Sequence, residues 1–181
     1  IEFLHQQLTQ LAEKKVPIEK LIISKSLRSF YKNPKQIAHN VLAERIGIRE
    51  PGNKPAPGDR IPYIYILNAQ SKLQGDKIEI PDYIKANRLK IDYGFYISNQ
   101  IMKPVLQIYS LILYDMKEFR RRKPAFLMEL ETLRSTLEHD KYEAKEQKMK
   151  LKEVEKILFE KYLRIDKNTK AGNQPITCFF K

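Results

Sequence analysis

Residues 33–67, NPKQIAHNVLAERIGIREPGNKPAPGDRIPYIYIL, pass through three local patterns in succession, and their order decides the fold class. Asn33 is a candidate helix cap and Pro34 suits a first helical position. Ile37, Val41 and Leu42 then recur at helical spacing as a buried face, with Lys35, His39 and Arg45 on the more polar side. Gly47 predicts a stop. Residues 49–60, REPGNKPAPGDR, follow with three prolines and two glycines, too many for a tight turn. Residues 61–67, IPYIYIL, read as a strand: Ile61, Tyr63, Tyr65 and Leu67 share one face and Ile64 and Ile66 the other, so both faces are expected to be covered. A helix, a long ordered connection and a two-sided strand point to α+β.

The flanks extend this pattern. Upstream, Leu4, Leu8 and Leu11 mark one face of a helix that ends before Pro17. Residues 19–27, EKLIISKSL, predict a strand. Downstream, a short strand is expected at Lys77–Ile80, with a turn at Pro81–Asp82. Phe95, Ile97, Ile101, Val105, Ile108 and Ile112 track a long helix, with Asp92 as its cap and Pro104 as a kink or break. From Lys117 the character changes. KEFRRRK is basic, and Phe126, Leu130, Leu133 and Leu137 repeat at helical spacing, as do Leu151, Val154 and Leu158. Residues 164–173, RIDKNTKAGN, read as the start of a flexible linker. The expected architecture is α+β and mostly helical, with a small β element and a helical tail.

Charge narrows the partners. The 181 residues carry 34 Lys+Arg against 22 Asp+Glu, a net +12, which favours a polyanion, with nucleic acid ahead of an acidic membrane surface. Cys178 is the single cysteine, which excludes an intramolecular disulfide and any multi-thiolate metal site. No apolar run approaches the ~20 residues of a membrane helix, and no basic stretch leads into an apolar one at the N-terminus. The opening residue is Ile1, which suggests a piece of a longer or processed protein.

Catalytic chemistry is not legible. His5, His39 and His139 are far apart and share no ligand spacing, the pattern of solvated or locally bonded histidines. G-x-S-x-G, G-x-x-x-x-G-K-[ST] and G-x-G-x-x-G are all missing from the sequence. Asp92 has no acidic neighbour in sequence, whereas two-metal phosphoryl chemistry needs several carboxylates around ions ~4 Å apart.

Several motifs, in order, carry a resemblance. LAER is followed by PG, a further proline and GDRIPY, a series similar to the thumb region of family B DNA polymerases. Residues 91–113, IDYGFYISNQIMKPVLQIYSLIL, resemble the segment that follows in that family, with its NQ and KP. Residues 75–93, GDKIEIPDYIKANRLKIDY, look most like polymerases of large DNA viruses. The resemblance covers roughly residues 1–115. A cysteine-rich C-terminal metal module, as in cellular delta-type enzymes, is missing, as is common in viral members.

The resemblance implies a division into a thumb-like domain (1–115), a helical extension (116–165) and a flexible linker with a clamp-binding motif (166–181). It implies a C-terminal part of a DNA-directed DNA polymerase, whose catalytic aspartates, Mg2+ and proofreading exonuclease lie upstream. No cofactor is expected in this chain, and it should not extend a primer alone. Its expected partners are primer-template duplex, a sliding clamp and the upstream palm, fingers and exonuclease. An intracellular location is implied, in a host nucleus or viral replication site.

A thumb grips duplex through phosphates. Lys35, Arg45, Arg49, Lys54 and Arg60 are the candidate cations, joined by Gln36 and His39. The competing reading is a solvated face, with Arg45 paired to Glu44 or Glu50 and Arg60 to Asp59. Tyr63 and Tyr65 read as packing residues rather than base-stacking platforms. Arg120–Lys123 could touch DNA, act as an import signal or solvate a helix end.

Residues 172–181, GNQPITCFFK, resemble a sliding-clamp-binding box. Asn173 takes the place of its glutamine, Ile176 that of its aliphatic anchor, and Phe179–Phe180 that of its aromatic pair. The competing reading docks the Phe pair on the chain's own helices. A stand-alone DNA-binding or processivity module acting in trans, and a basic helical interaction protein, remain as alternatives.

Overall fold

The computed structural model describes residues 1–171. In chain order the α-helices and strands are α1 (Glu2–Ala12), β1 (Ile23–Ser26), α2 (Ala38–Arg49), β2 (Arg60–Tyr65), β3 (Ile78–Glu79), α3 (Pro81–Asn87), α4 (Tyr93–Phe95), α5 (Met102–Leu111), α6 (Lys123–Thr136), α7 (His139–Leu158) and α8 (Glu160–Lys170). The fold is α+β and mostly helical, with one antiparallel sheet in the order β1-β2-β3. The chain divides into two compact units, residues 14–96 and residues 1–13 with 97 onward.

The 14–96 unit is built on the two-sided strand. Ile61 and Tyr63 point to one side of β2 and Ile64 to the other, and all three are buried. Leu27, Leu42, Ala43, Ile61, Tyr63 and Ile78 form one core. Ile23 of β1 lies opposite Tyr63, and Ser26 opposite Arg60. Helix α2 covers the core through Leu42 and Ala43. Gly75 lies against it so closely that a methyl group there would sit 2.5 Å from Val41 Cβ.

Local punctuation differs from expectation in several places. Asn33 caps nothing with its side chain; Pro34–Gln36 make one 3-10 turn, Ile37 is extended, and α2 starts at Ala38. Gly47 does not stop α2, which runs on to Arg49. Its bare Cα instead makes room for the Lys54 side chain, whose Cγ and Cδ would lie 2.8 Å from an added Cβ. Pro81 opens α3 rather than a turn, using the first helical position where no N–H is needed. Asp92 is the cap it was expected to be, accepting from Phe95 N–H at 3.0 Å.

In the other unit, α5 packs on α7, α7 on α6 and α8, and α1 on α8. Leu8, Leu113, Phe119, Val154, Leu158 and Phe159 are its buried heart. Tyr162 Oη lies 3.2 Å from both His5 Nδ1 and Thr9 Oγ1, fixing α8 to α1. Gln147 of α7 donates to Ser110 of α5 at 3.2 Å.

The helix through Pro104 does not break. Tyr96–Ile101 form wide π turns and α5 continues from Met102. Pro104 has no N–H for an upstream carbonyl and its ring crowds that carbonyl, so loosened turns just ahead of it relieve both problems. The π turns slip the helix phase by about one residue. Ile97 is therefore followed on the buried side by Leu106 and Ser110. The expected face fails beyond that point: Ile108 and Ile112 are 61% and 46% exposed.

The linker expected from residue 166 is a correction. Residues 166–170 are the last turns of α8, held by a 3.1 Å Asp166–Lys170 pair and a Thr169 hydroxyl bonded to Ile165 O. The lysines at this helix end suit its negative pole.

Candidate nucleic-acid interface

The sequence-predicted cations separate into two groups. Arg45 and Arg49 stand one turn apart on α2 and turn toward β3. Arg45 donates to Gly75 O at 2.6 Å, Ile78 O at 3.1 Å and Asp76 Oδ1 at 3.1 Å, and lies 3.4 Å from Glu79 Oε2. Arg49 donates to the same Glu79 oxygen at 2.7 Å and lies 3.8 Å over the Tyr83 ring. Glu79 is only 3% exposed, so two guanidinium groups compensate one buried carboxylate. The planar, five-donor fork makes arginine suited to holding carbonyls and carboxylates together in this way. These two arginines join α2 to the β3 region. Their partners are not the acids beside them in sequence.

Lys54 and Arg60 line one shallow cavity of about 410 Å3 with Asp59 and Pro62. Lys54 Nζ pairs with Glu44 at 2.8 Å, and both side chains are exposed. Arg60 lies across β1, donating through Nε to Ser24 Oγ at 3.2 Å and through a terminal nitrogen to Ser24 O at 3.3 Å. Its guanidinium remains at the surface, bonded to Ser24 and not to Asp59, whose Oδ2 accepts from Ala56 N–H.

Lys35 sits on the 3-10 turn before α2, exposed and without an ion pair among the described residues, and Gln36 beside it is exposed. His39, on the first turn of α2, lies 3.0 Å from Tyr31 Oη through Nε2, and Tyr31 Oη in turn accepts from Arg28 N–H at 2.8 Å. Burial, then the nearby Lys25 and Arg28 charges, hold the His39 imidazole below its ordinary value, partly offset by a bond to the Ser26 backbone. We assign it neutral at pH 7, with Nε2 accepting the Tyr31 proton.

Sequence reasoning missed the cations on either side of this histidine. Lys25 lies on β1, opposite Ile61, and Arg28 and Lys32 lie in the loop that follows. All three are exposed and, like Lys35, make no ion pair among the described residues. The signal was present: residues 20–43 contain no carboxylate. Phe30, 79% exposed, projects from the middle of the same loop. Lys25, Arg28, Lys32 and Lys35 thus form an acid-free cationic stretch, with Lys25 and Arg28 close enough to act on His39, whereas Arg60, in register with Ser26 and bonded to Ser24, lies on the opposite face of the sheet from Lys25.

Tyr63 and Tyr65 are packing residues. Burial pushes the Tyr63 phenol up to about 12. Tyr65 stacks on Phe95 with ring centroids 3.5 Å apart. Tyr96, which the sequence did not single out, donates to Leu21 O at 2.8 Å and accepts from Tyr65 N–H at 3.0 Å. Among the described residues no group of His, Cys, Asp and Glu could hold a metal ion, and no helix is long and apolar enough to cross a membrane. Asn173, Ile176, Phe179 and Phe180 lie outside the described residues.

A family model described as DNA polymerase family B matches residues 1–112. A DNA polymerase of Pyramimonas orientalis virus is 42% identical over 99% of the chain. One from Acanthamoeba polyphaga mimivirus is 46% identical over 67% of it, and the DNA polymerase delta catalytic subunit of Caenorhabditis elegans is 34% identical over 65%. The chain spans 15%, 7% and 11% of the lengths of these three relatives.

Proposed function

This chain belongs to DNA polymerase family B, and from that membership we propose that it is the thumb-like, duplex-gripping C-terminal part of a replicative DNA-directed DNA polymerase. The observation that supports the grip most directly is the acid-free run from Lys20 to Ala43, with Lys25, Arg28, Lys32 and Lys35 exposed and unpaired. Cations without protein partners are the ones free to replace counterions on phosphates. Arg60, at the surface on the opposite face of the sheet, and Lys54, whose ammonium is exposed but paired with Glu44, are secondary candidates. Arg45 and Arg49 act indirectly, by holding α2 against the β3 region. Gln36 and His39 sit at the root of the surface, where His39 and Tyr31 brace the basic loop. Contacts of this kind fix the protein on the duplex and read no sequence.

In this reading residues 1–115 hold product duplex behind an active site supplied by an upstream palm. The catalytic aspartates and Mg2+ belong to that palm, so the isolated chain incorporates no nucleotide. A processivity module acting in trans is the second reading, and it requires only cations that this chain itself carries. Duplex binding followed across salt tests both against the third, a basic interaction protein. A log–log slope of several units supports gripping, and a slope near zero overturns it.

The clamp tether rests on the likeness of Asn173, Ile176, Phe179 and Phe180 to a clamp-binding box. Apolar anchors of that type act as hot spots in a partner's pocket, and a tether behind a DNA grip raises effective concentration. Replacing Phe179 and Phe180 by Ala should abolish clamp capture and leave duplex affinity and the melting temperature unchanged. A melting temperature that falls instead assigns the pair to this chain's own core.

A further inference from the structure

A second basic surface lies outside the part matched by the family model, between α6 and α7. On α7, Lys141, Lys145, Lys148, Lys152 and Lys156 follow at intervals of three or four residues and make one stripe along a 20-residue helix. Two adjoining cavities, of about 250 and 320 Å3, share Phe126, Glu129, Glu153 and Lys156 and so form one groove. Arg121 and Arg122 line it at the start of α6, and Lys145, Lys148 and Lys152 line it from α7.

The charge in this groove is poorly neutralised. Glu153 is bridged by Arg122 at 3.1 Å and Lys156 at 2.7 Å. Glu129 is the second carboxylate in the lining, against six cations. Lys145, Lys148 and Lys152 are exposed and make no ion pair among the described residues. Lys123 turns away, donating to Tyr114 O at 3.3 Å, so the basic run at 120–123 splits between packing and the groove.

We propose that this groove binds the phosphate backbone of nucleic acid, as a second contact separate from the surface on β1 and its loop. The choice of nucleic acid rests on the duplex-gripping reading; the anion preference rests on the groove alone. A row of lysines at roughly 5–6 Å steps along a helix face suits a ligand with evenly repeated charges. Phe126 and Met149 are buried in the floor, leaving an acidic peptide no apolar pocket to fill. No ring in the lining is free to stack on a base, so the contact is indifferent to sequence.

The test uses the 181-residue chain with Lys145, Lys148 and Lys152 all changed to Ala. Anisotropy is read with duplex DNA, single-stranded DNA and polyglutamate between ~50 and ~200 mM salt. The salt slope for at least one DNA should fall by roughly 2 to 3, while K145R/K148R/K152R keeps it. Because all three lysines are unpaired, the melting temperature should not move; if it does, Lys148→Ala alone is read instead, where a slope lower by roughly 1 is expected and an unchanged slope overturns the groove. An unchanged slope in the alanine variant overturns the groove. If Lys25→Ala, Arg28→Ala, Lys32→Ala and Lys35→Ala still weaken binding then, the gripping reading stands without it. Equal losses for polyglutamate and DNA overturn the assignment to nucleic acid.

Discussion

Arg45 and Arg49 differ from Lys25, Arg28, Lys32 and Lys35 in what surrounds them, although the same unit carries all six. The two arginines meet Glu79, Asp76 and the carbonyls of Gly75 and Ile78. The other four face solvent in a stretch without carboxylates. The contrast teaches that positive charge marks a phosphate contact only where the fold has not already used it. Arginine within reach of a buried acid is a structural tie, and its loss is felt as stability. Unpaired cations contribute little to folding and are available to a polyanion.

Breaking the tie should have the largest effect. Glu79→Ala leaves two guanidinium groups facing each other without their shared carboxylate. Stranding a buried charge costs about 3–5 kcal/mol, and the lower end applies because both arginines keep about a quarter of their side-chain surface in water. Urea unfolding of the variant should show the loss, and a midpoint equal to wild type would mean Glu79 is no keystone. The converse change sharpens the comparison from the other side. Lys25, Arg28, Lys32 and Lys35 changed together to Ala should alter stability by no more than about 0.5 kcal/mol per site and reduce the salt slope of duplex binding by roughly 3 to 4. Binding unchanged with those four removed would return the phosphate role to Lys54, Arg60 or the α6–α7 groove.

The smallest effect lies at His39, between the two groups. Its folded value is below that of the unfolded chain, so the unfolded chain takes up the proton first as pH falls. The stability His39 contributes is therefore present above about pH 6.5 and is lost as pH drops through the lowered folded value. Urea midpoints at pH 8 and 5.5 should differ more for wild type than for His39→Gln. Equal differences would show that the imidazole is not coupled to folding.

What the sequence made legible was local. The alternation in IPYIYIL gave a strand buried on both faces, and Asp92 was readable as a cap because its partner, Phe95 N–H, lies three residues away. The partners of Arg45 and Arg49 lie about thirty residues away, beyond any periodicity, so neighbouring Glu44 and Glu50 seemed the natural acids. Lys25, Arg28 and Lys32 escape notice because the first sits inside, and the other two follow, a strand defined by its apolar residues. The α8 extension through Lys170 was hidden by polar composition, since a helix end stabilised by Asp166–Lys170 pairing needs few apolar side chains.

The wide turns at Tyr96–Ile101 have a consequence for comparing chains of different length. A π turn is equivalent to an α-helix with one residue added. A relative shorter by one residue here would carry a plain α-helix and still bring the counterparts of Leu106 and Ser110 to the same side. The single gap in such an alignment belongs inside residues 96–101. Placed after Pro104, it would pair the buried positions of one chain with the exposed ones of the other.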